Sequence, residues 1–387
     1  MKIYIVLLGL ILMLPVFPGI YAQQISGNAG YSLFYSDNPY RLNDGKEEFV
    51  STYQAMLEYQ PKPGLPSFSY SFGLNDFKNY TDRSFNLHSF NAAYAFQFLD
   101  TTNDENVSLN AFYAIKSNTS GDGTYKYNSF GLSGEGSFFL SDNLMLTAGY
   151  GFSSRNYPSL YDLDYKDNNL FTRISAFFET KTSLHFEAAL GNRGYSINQQ
   201  TYITTSPMGG PMGNKMGGQT IIRNNLLSTN VTQLRSTFKA SQSLTDKAGM
   251  NMFYRLNNHL GQGNGISLTE FMYSDDEDLW DDPYSFEGND FGTGLTWVLP
   301  YEMTLRLTGE YSGRRYKENL ADTVFFKQRL DNRTEFWLGI TKEFSEGLPL
   351  ARSLMLDLEF MHIINNSNEK YFTYKNNLLL LKMAVGF

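Results

Sequence analysis

Ser67-Phe68-Ser69-Tyr70-Ser71-Phe72-Gly73-Leu74 puts Phe68, Tyr70, Phe72 and Leu74 on one side of an extended chain and Ser67, Ser69, Ser71 and Gly73 on the other. Side chains of a β-strand alternate faces with period two, so this segment separates an apolar surface from a small, polar one. The same alternation recurs as Val107, Leu109, Ala111, Tyr113, Ile115, and again as Phe130, Leu132, Gly134, Gly136, Phe138. Leu144 to Phe152, Leu170 to Phe178, Leu184 to Leu190, Leu234 to Ala240 and Ala248 to Leu256 continue it, as do Phe291 to Leu299, Met303 to Tyr311, Phe336 to Phe344 and Leu354 to Phe360. With Ile25 to Tyr35, Phe49 to Tyr59, Phe90 to Phe98 and Leu379 to Phe387, the count reaches about sixteen, an even number that returns both ends of a barrel to the same side.

The connections between these segments differ by turn. Pro61 to Gly64, Ser141 to Asn143, Thr180 to Thr182, Leu244 to Asp246 and Pro300 to Glu302 are short. The intervening links, around 43–47, 117–123, 153–168, 193–225, 258–289, 317–331 and 365–376, are longer and polar. With a periplasmic N-terminus this alternation is that of short periplasmic turns and long outer loops; a soluble sandwich has no reason to produce it. Aromatics gather at two levels: Tyr59, Phe68, Phe98, Phe138, Trp297, Phe344 and Phe387 at the inner one, and Tyr35, Phe90, Phe130, Tyr150, Tyr254, Tyr311 and Phe360 at the outer one, where lipid would meet water.

Composition agrees. The 387 residues include 31 Phe, 27 Tyr and no Cys, and the formal net charge is −8. An acidic chain without clustered Lys and Arg is a poor partner for nucleic acid. Met1-Lys2, the apolar run from Ile3 to Ile20 and Ala22 before Gln23 have the layout of a cleaved secretory signal peptide, and Pro15 and Pro18 would break a retained helix. Without cysteine there is no site for a lipid anchor and no disulfide. The expected organisation is a signal peptide at 1–22 and a single barrel domain at 23–387, with long extracellular loops near 193–225 and 258–289. Beyond the leader no apolar run reaches the length of a membrane helix. The expected class is therefore an all-β, transmembrane, antiparallel up-and-down barrel.

Leu379, Leu381, Met383, Val385 and Phe387 end the chain on one face of an alternating strand with a terminal aromatic. This resembles the C-terminal assembly signal of bacterial outer-membrane β-barrel proteins, a porin-like class rather than one family. The resemblance implies a Gram-negative outer membrane, contact with its lipid, and the barrel-assembly machinery as a partner. About sixteen strands leave a lumen wide enough for water. The function expected from that architecture is a porin-like channel for passage or uptake of small hydrophilic solutes. The alternative is a non-conducting surface barrel whose long loops bind a partner, and the third reading is an outer-membrane hydrolase.

The faces opposite the apolar ones would line the lumen. They carry Glu135, Arg173, Glu187, Arg235, Arg255, Arg306, Glu310, Asp357 and Glu359, since a charge on the lipid face near the midplane would cost roughly 2 to 4 kcal/mol. These groups could tune ion selectivity or pair across strands. Inward acids outnumber inward bases in this count, which predicts a mild cation preference. No catalytic residue is assigned: His88, His185, His259 and His362 are scattered, and neither a Gly-x-Ser-x-Gly elbow nor a His-Glu-x-x-His motif is present. No cofactor or metal is expected. Met208, Met212 and Met216 lie in a low-complexity stretch read as a flexible Gly-rich hairpin, and SDDEDLWDD at 274–282 reads as a solvated acidic loop without a calcium-loop frame.

Overall fold

The structure, a computed structural model, describes residues 25–39, 41, 46–61, 64–97, 106–119, 126–160, 163–196, 200–205, 220–225, 230–261, 282–322, 327–345 and 351–387. The strands are β1 (Ile25–Ser36), β2 (Glu48–Tyr59), β3 (Ser67–Phe77), β4 (Phe85–Gln97), β5 (Asn106–Asn118), β6 (Tyr127–Ser141), β7 (Leu144–Asn156), β8 (Tyr165–Phe178), β9 (Thr182–Tyr195), β10 (Gln200–Thr205), β11 (Thr220–Asn225), β12 (Asn230–Thr245), β13 (Ala248–His259), β14 (Glu287–Leu299), β15 (Met303–Asp322), β16 (Lys327–Phe344), β17 (Ser353–Ser367) and β18 (Tyr374–Gly386). Sixteen of them close one barrel, each pairing antiparallel with its neighbours; β10 and β11 form a separate hairpin in the connection between β9 and β12. The seam joins β1 to β18 from Asn28↔Gly386 to Ser36↔Leu378, and the Phe387 N–H donates to the Gly27 carbonyl at 2.8 Å. Closure pairs both edges of each of the sixteen barrel strands, which is what a sheet needs to stand in hydrocarbon.

Every segment with the alternating pattern falls on a barrel strand, Phe98 at the end of one of them lying outside the described residues. The difference lies at the outer ends. β15 runs for 20 residues and β16 for 18, so most of the link expected at 317–331 is paired strand. Ladder hydrogen bonds satisfy the backbone in water as well as in lipid, so pairing continues past the level where the apolar alternation stops. The short turns bring a second feature: Lys181 (φ 58), Tyr301 (φ 61) and Glu302 (φ 58) are left-handed without being glycine.

The two faces differ as the alternation requires. Phe68, Leu109, Leu170, Phe291 and Leu381 are each 50–54% exposed on the outside of the barrel. Moving one such side chain from water into an apolar medium is worth roughly 1.5–3 kcal/mol, so a continuous band of them defines a lipid-facing surface. On the inner face, aromatic rings lie over glycines of the adjacent strand: Phe112 opposite Gly131, Phe171 opposite Gly149 and Phe253 opposite Gly292. Towards the outer end the inner face carries two buried apolar clusters. One gathers Phe34, Val50, Phe77, Phe85, Ile363, Tyr374 and Leu378; the other gathers Tyr127, Tyr157, Leu163, Tyr165, Tyr195, Val231 and Tyr284.

Candidate functional site

The second cluster includes three residues from no strand: Tyr157 and Leu163, between β7 and β8, and Tyr284. Just before β14 the chain turns into the barrel as a short 3-10 turn, Pro283–Ser285, and Tyr284 and Ser285 are buried there. Asp282 caps this turn: its carboxylate accepts from the Tyr284 N–H at 2.8 Å, and the Ser285 hydroxyl donates to the Asp282 carbonyl at 2.6 Å. Gln233 on β12 holds the turn from below, its Nε2 donating to the carbonyls of Pro283 at 2.7 Å and Phe286 at 3.2 Å.

Arg193 on β9 is the centre of the site. Its Nη1 lies 3.2 Å from Asp282 Oδ1, while Nη2 and Nε meet Asp167 Oδ2 on β8 at 2.6 and 3.0 Å. The Tyr195 hydroxyl donates to the other Asp282 oxygen, and the Tyr284 hydroxyl to Asp167 Oδ1 at 2.9 Å. The Arg193 guanidinium also lies 4.2 Å from the Tyr165 ring centre and 4.6 Å from that of Tyr284. Asp282 has no exposed surface, so its charge is tolerated through ion-pair and hydrogen-bond contacts such as these. Burial and the Asp167 carboxylate push the Tyr284 phenol above its ordinary pKa, which keeps it neutral and donating. The approach is so close that a Cβ on Gly191 would lie 2.2 Å from the Tyr284 hydroxyl oxygen.

Between this turn and the wall lies a cavity of about 350 Å³, bounded among others by Asn110, Phe112, Asn169, Arg193, Gln233 and Arg235. Outward from it, cations and rings alternate along the inner wall. Lys116 Nζ is 4.2 Å from the Phe85 ring, and Arg155 is 4.4 Å from Tyr127 and 5.7 Å from Tyr165. Such contacts let a guanidinium or ammonium share an apolar wall.

The residues expected to line the lumen do not form one site. Arg173 pairs with Glu187 at 2.5 Å, and Arg255 with Asp290 at 3.3 Å. Arg306 Nη1 donates to Thr341 Oγ1 at 3.3 Å, and that hydroxyl donates to Asp357 Oδ1 at 2.8 Å. Trp337 Nε1 donates to Glu359 Oε2 at 3.1 Å. Glu310 stands opposite Glu335, and Glu135 opposite Ser108 and Gly149. Of the nine, Arg235 borders the cavity. Leu379, Leu381 and Met383 of the terminal strand are outward and 44–50% exposed.

Sequence reading passed over Arg193, Asp167, Gln233, Asp282 and Tyr284. For the first three a signal existed: Arg193 shares parity with Glu187, Asp167 with Arg173 and Gln233 with Arg235, each just beyond the apolar run. Asp282 corrects the reading of 274–282 as a solvated acidic loop, since its last carboxylate is buried under a Pro-Tyr-Ser turn that it caps. The rest of that stretch, Met208, Met212, Met216 and the leader at 1–22 lie outside the described residues. Among the described residues, no group of three or more His, Asp or Glu side chains could hold a metal ion. The histidines are separate: His88 bonds Tyr70, His362 bonds Asn377, and the ring nitrogens of His185 meet Ser175 and Ser183 at 2.8 and 3.3 Å.

A closed, sixteen-stranded antiparallel barrel with an apolar outside and a polar, charge-paired inside has the porin-like fold of bacterial outer-membrane proteins. OccAB1 of Acinetobacter baumannii superposes with a TM-score of 0.52 at 10% identity, over 94% of this chain and 96% of that one. The outer membrane protein OpdK and OprD, both of Pseudomonas aeruginosa, each give a TM-score of 0.48 at 10% identity, over 94% of this chain and 99% and 95% of theirs. At such identity the likeness is one of fold. Residues 34–166 match the family model described as a putative MetA-pathway of phenol degradation. No curated protein matches the chain.

Proposed function

We propose that the chain is a porin-like channel of the outer membrane for passage or uptake of small hydrophilic solutes. The observation that carries this reading is the polar cavity between the infolded turn and the wall: a lumen filled as a structural core would have no space lined by Asn110, Asn169, Gln233 and Arg235. Export through a cleaved leader at 1–22 and insertion by the assembly machinery through the strand ending in Leu381, Met383, Val385 and Phe387 belong to the same proposal. The inward charges Glu135, Arg173, Glu187, Arg255, Arg306, Glu310, Asp357 and Glu359 would set the field along the path. The alternative, a non-conducting barrel that binds a partner through its outer loops, is favoured by the two buried apolar clusters at the outer end of the lumen. Single-channel recording of the refolded protein in a planar bilayer decides between them. Stepwise currents are expected; a refolded, heat-modifiable barrel that passes none supports the surface-protein reading.

A further inference from the structure

The geometry points to a second activity: Ser183 and His185 form the nucleophile and base for hydrolysis of small anionic carboxylic esters at the short-turn end of the barrel. This goes beyond the channel reading and does not rest on conduction. Both residues lie on the inner face of β9, on the parity of Glu187 and Arg193. The two ring nitrogens of His185 are engaged, Nε2 with Ser183 Oγ at 3.3 Å and Nδ1 with the buried Ser175 Oγ of β8 at 2.8 Å. Phe177 of β8 stands edge-on to the imidazole, with ring centres 6.0 Å apart. A hydroxyl within reach of an imidazole that a third group orients is the arrangement that activates a serine. With Nδ1–H donating to Ser175, Nε2 is left to accept the Ser183 proton.

The surroundings define the substrate. On β12, Lys239 stands opposite His185 and Ser241 opposite Ser183, about 5 Å away at Cβ. Ser183, Lys239 and Ser241 line a cavity of about 420 Å³ that Lys181 and Lys247 also border. Lys181 pairs with Asp246 at 2.9 Å; among the described residues, no carboxylate lies within ion-pair distance of Lys239 or Lys247. Two ammonium groups without a carboxylate favour an ester that carries an anionic group, and the volume limits that ester to a small one. The Ser183 oxygen attacks the ester carbonyl carbon while its proton passes to His185 Nε2. Charge that develops on the carbonyl oxygen is met by the Lys239 ammonium and the Ser241 hydroxyl. The bond from that carbon to the alcohol oxygen then breaks, and the alcohol leaves with the proton from His185. Water repeats the sequence on the acyl-serine, releasing the acid and restoring the Ser183 hydroxyl, so ester and water give acid and alcohol. Ser175 acts through the imidazole as a positioning residue.

The test treats the detergent-folded barrel with diisopropyl fluorophosphate, which phosphorylates an activated serine with loss of fluoride, and locates the adduct by peptide mass spectrometry. Ser183 should carry it, and His185→Ala should slow labelling about a hundredfold. Ser175→Ala should give a rate between those two, with Ser175→Thr restoring it. Turnover is read with para-nitrophenyl hydrogen adipate against the neutral para-nitrophenyl hexanoate. The unmodified protein should favour the adipate in kcat/KM, and Ser183→Ala should abolish hydrolysis of both. Lys239→Gln should lower the preference about tenfold while Ser183 still takes the label. An unlabelled Ser183 in the unmodified protein ends the proposal, as does labelling that runs equally fast in His185→Ala. Equal turnover of the two esters overturns the anionic substrate class. Single-channel current of the same preparations separates this site from the channel reading: a conducting barrel with an inert Ser183 loses only the hydrolase, and a labelled barrel without current keeps it. Heat-modifiable gel mobility confirms that each variant is folded.

Discussion

Asp282 shows how much one side chain can hold. Its two oxygens take an arginine, a phenol and a backbone N–H, and every one of those partners is itself buried or half-buried. Asp282→Ala removes an ion-pair partner from a buried guanidinium, at about 3 kcal/mol, and a turn cap worth about 1 kcal/mol. The midpoint of urea unfolding in lipid vesicles should fall accordingly, and the turn should leave the lumen, raising single-channel conductance. Gly191 tests the same contact from the wall. Gly191→Val drives a methyl-bearing carbon into the Tyr284 hydroxyl and should also raise conductance, with Asp282 left intact. Gly151→Ala, at the same cavity but with its nearest side-chain atom 3.9 Å from an added Cβ, should leave conductance unchanged. If both glycine variants behave alike, Tyr284 does not narrow the path.

At the scale of elements, the strands were legible because the chemical contrast across the sheet is imposed at every second position by the medium outside it. Leu358, 46% exposed, and Glu359, bonded to Trp337, are neighbours in sequence on opposite faces of β17. Leu358→Arg should cost roughly 2 to 4 kcal/mol if it lies near the midplane, and should deplete the folded barrel from vesicles; Glu359→Arg should be tolerated. Loss of both, or of neither, would show the parity to be misassigned. The turns follow a different rule. Tyr301 and Glu302 are both left-handed, at about 1–2 kcal/mol each, and the Asn-Gly pair that tolerates this conformation should raise the thermal midpoint of unfolding when substituted there. What sequence did not reveal was structure set by contacts rather than by period. β10 and β11 are short strands flanking a low-complexity stretch, and the infolded turn depends on Arg193, Gln233 and Tyr195, which are distant in sequence from Asp282. Arg235 was legible as an inward residue, yet its place at the cavity depends on Ala189 and on the turn, neither of which its own strand announces.

For the molecule as a whole, a count of inward charges predicts a weak cation preference, since acids such as Glu310, Asp357 and Glu359 outnumber bases. The structure alters the expectation because selectivity is set where the path is narrow and a charge is left uncompensated, not by the sum along the wall. Arg173, Arg193 and Arg255 each have a carboxylate partner, and the Asp357 carboxylate accepts a hydrogen bond from the Thr341 hydroxyl and stands opposite Lys382. Among the described residues, no carboxylate lies within ion-pair distance of Arg235, which borders the cavity. An open channel should therefore prefer anions at low salt. The preference should fade as the Debye length shrinks from about 10 Å at 0.1 M to about 3 Å at 1 M, because the field of one guanidinium then no longer spans the passage. The reversal potential under a salt gradient reads this directly. Arg235→Gln should carry it towards the cation side, while Glu310→Gln should move it further towards anions. A cation-selective unmodified channel, unaffected by Arg235→Gln, would mean that ions pass along the acidic wall of β15 to β17 and never meet the cavity.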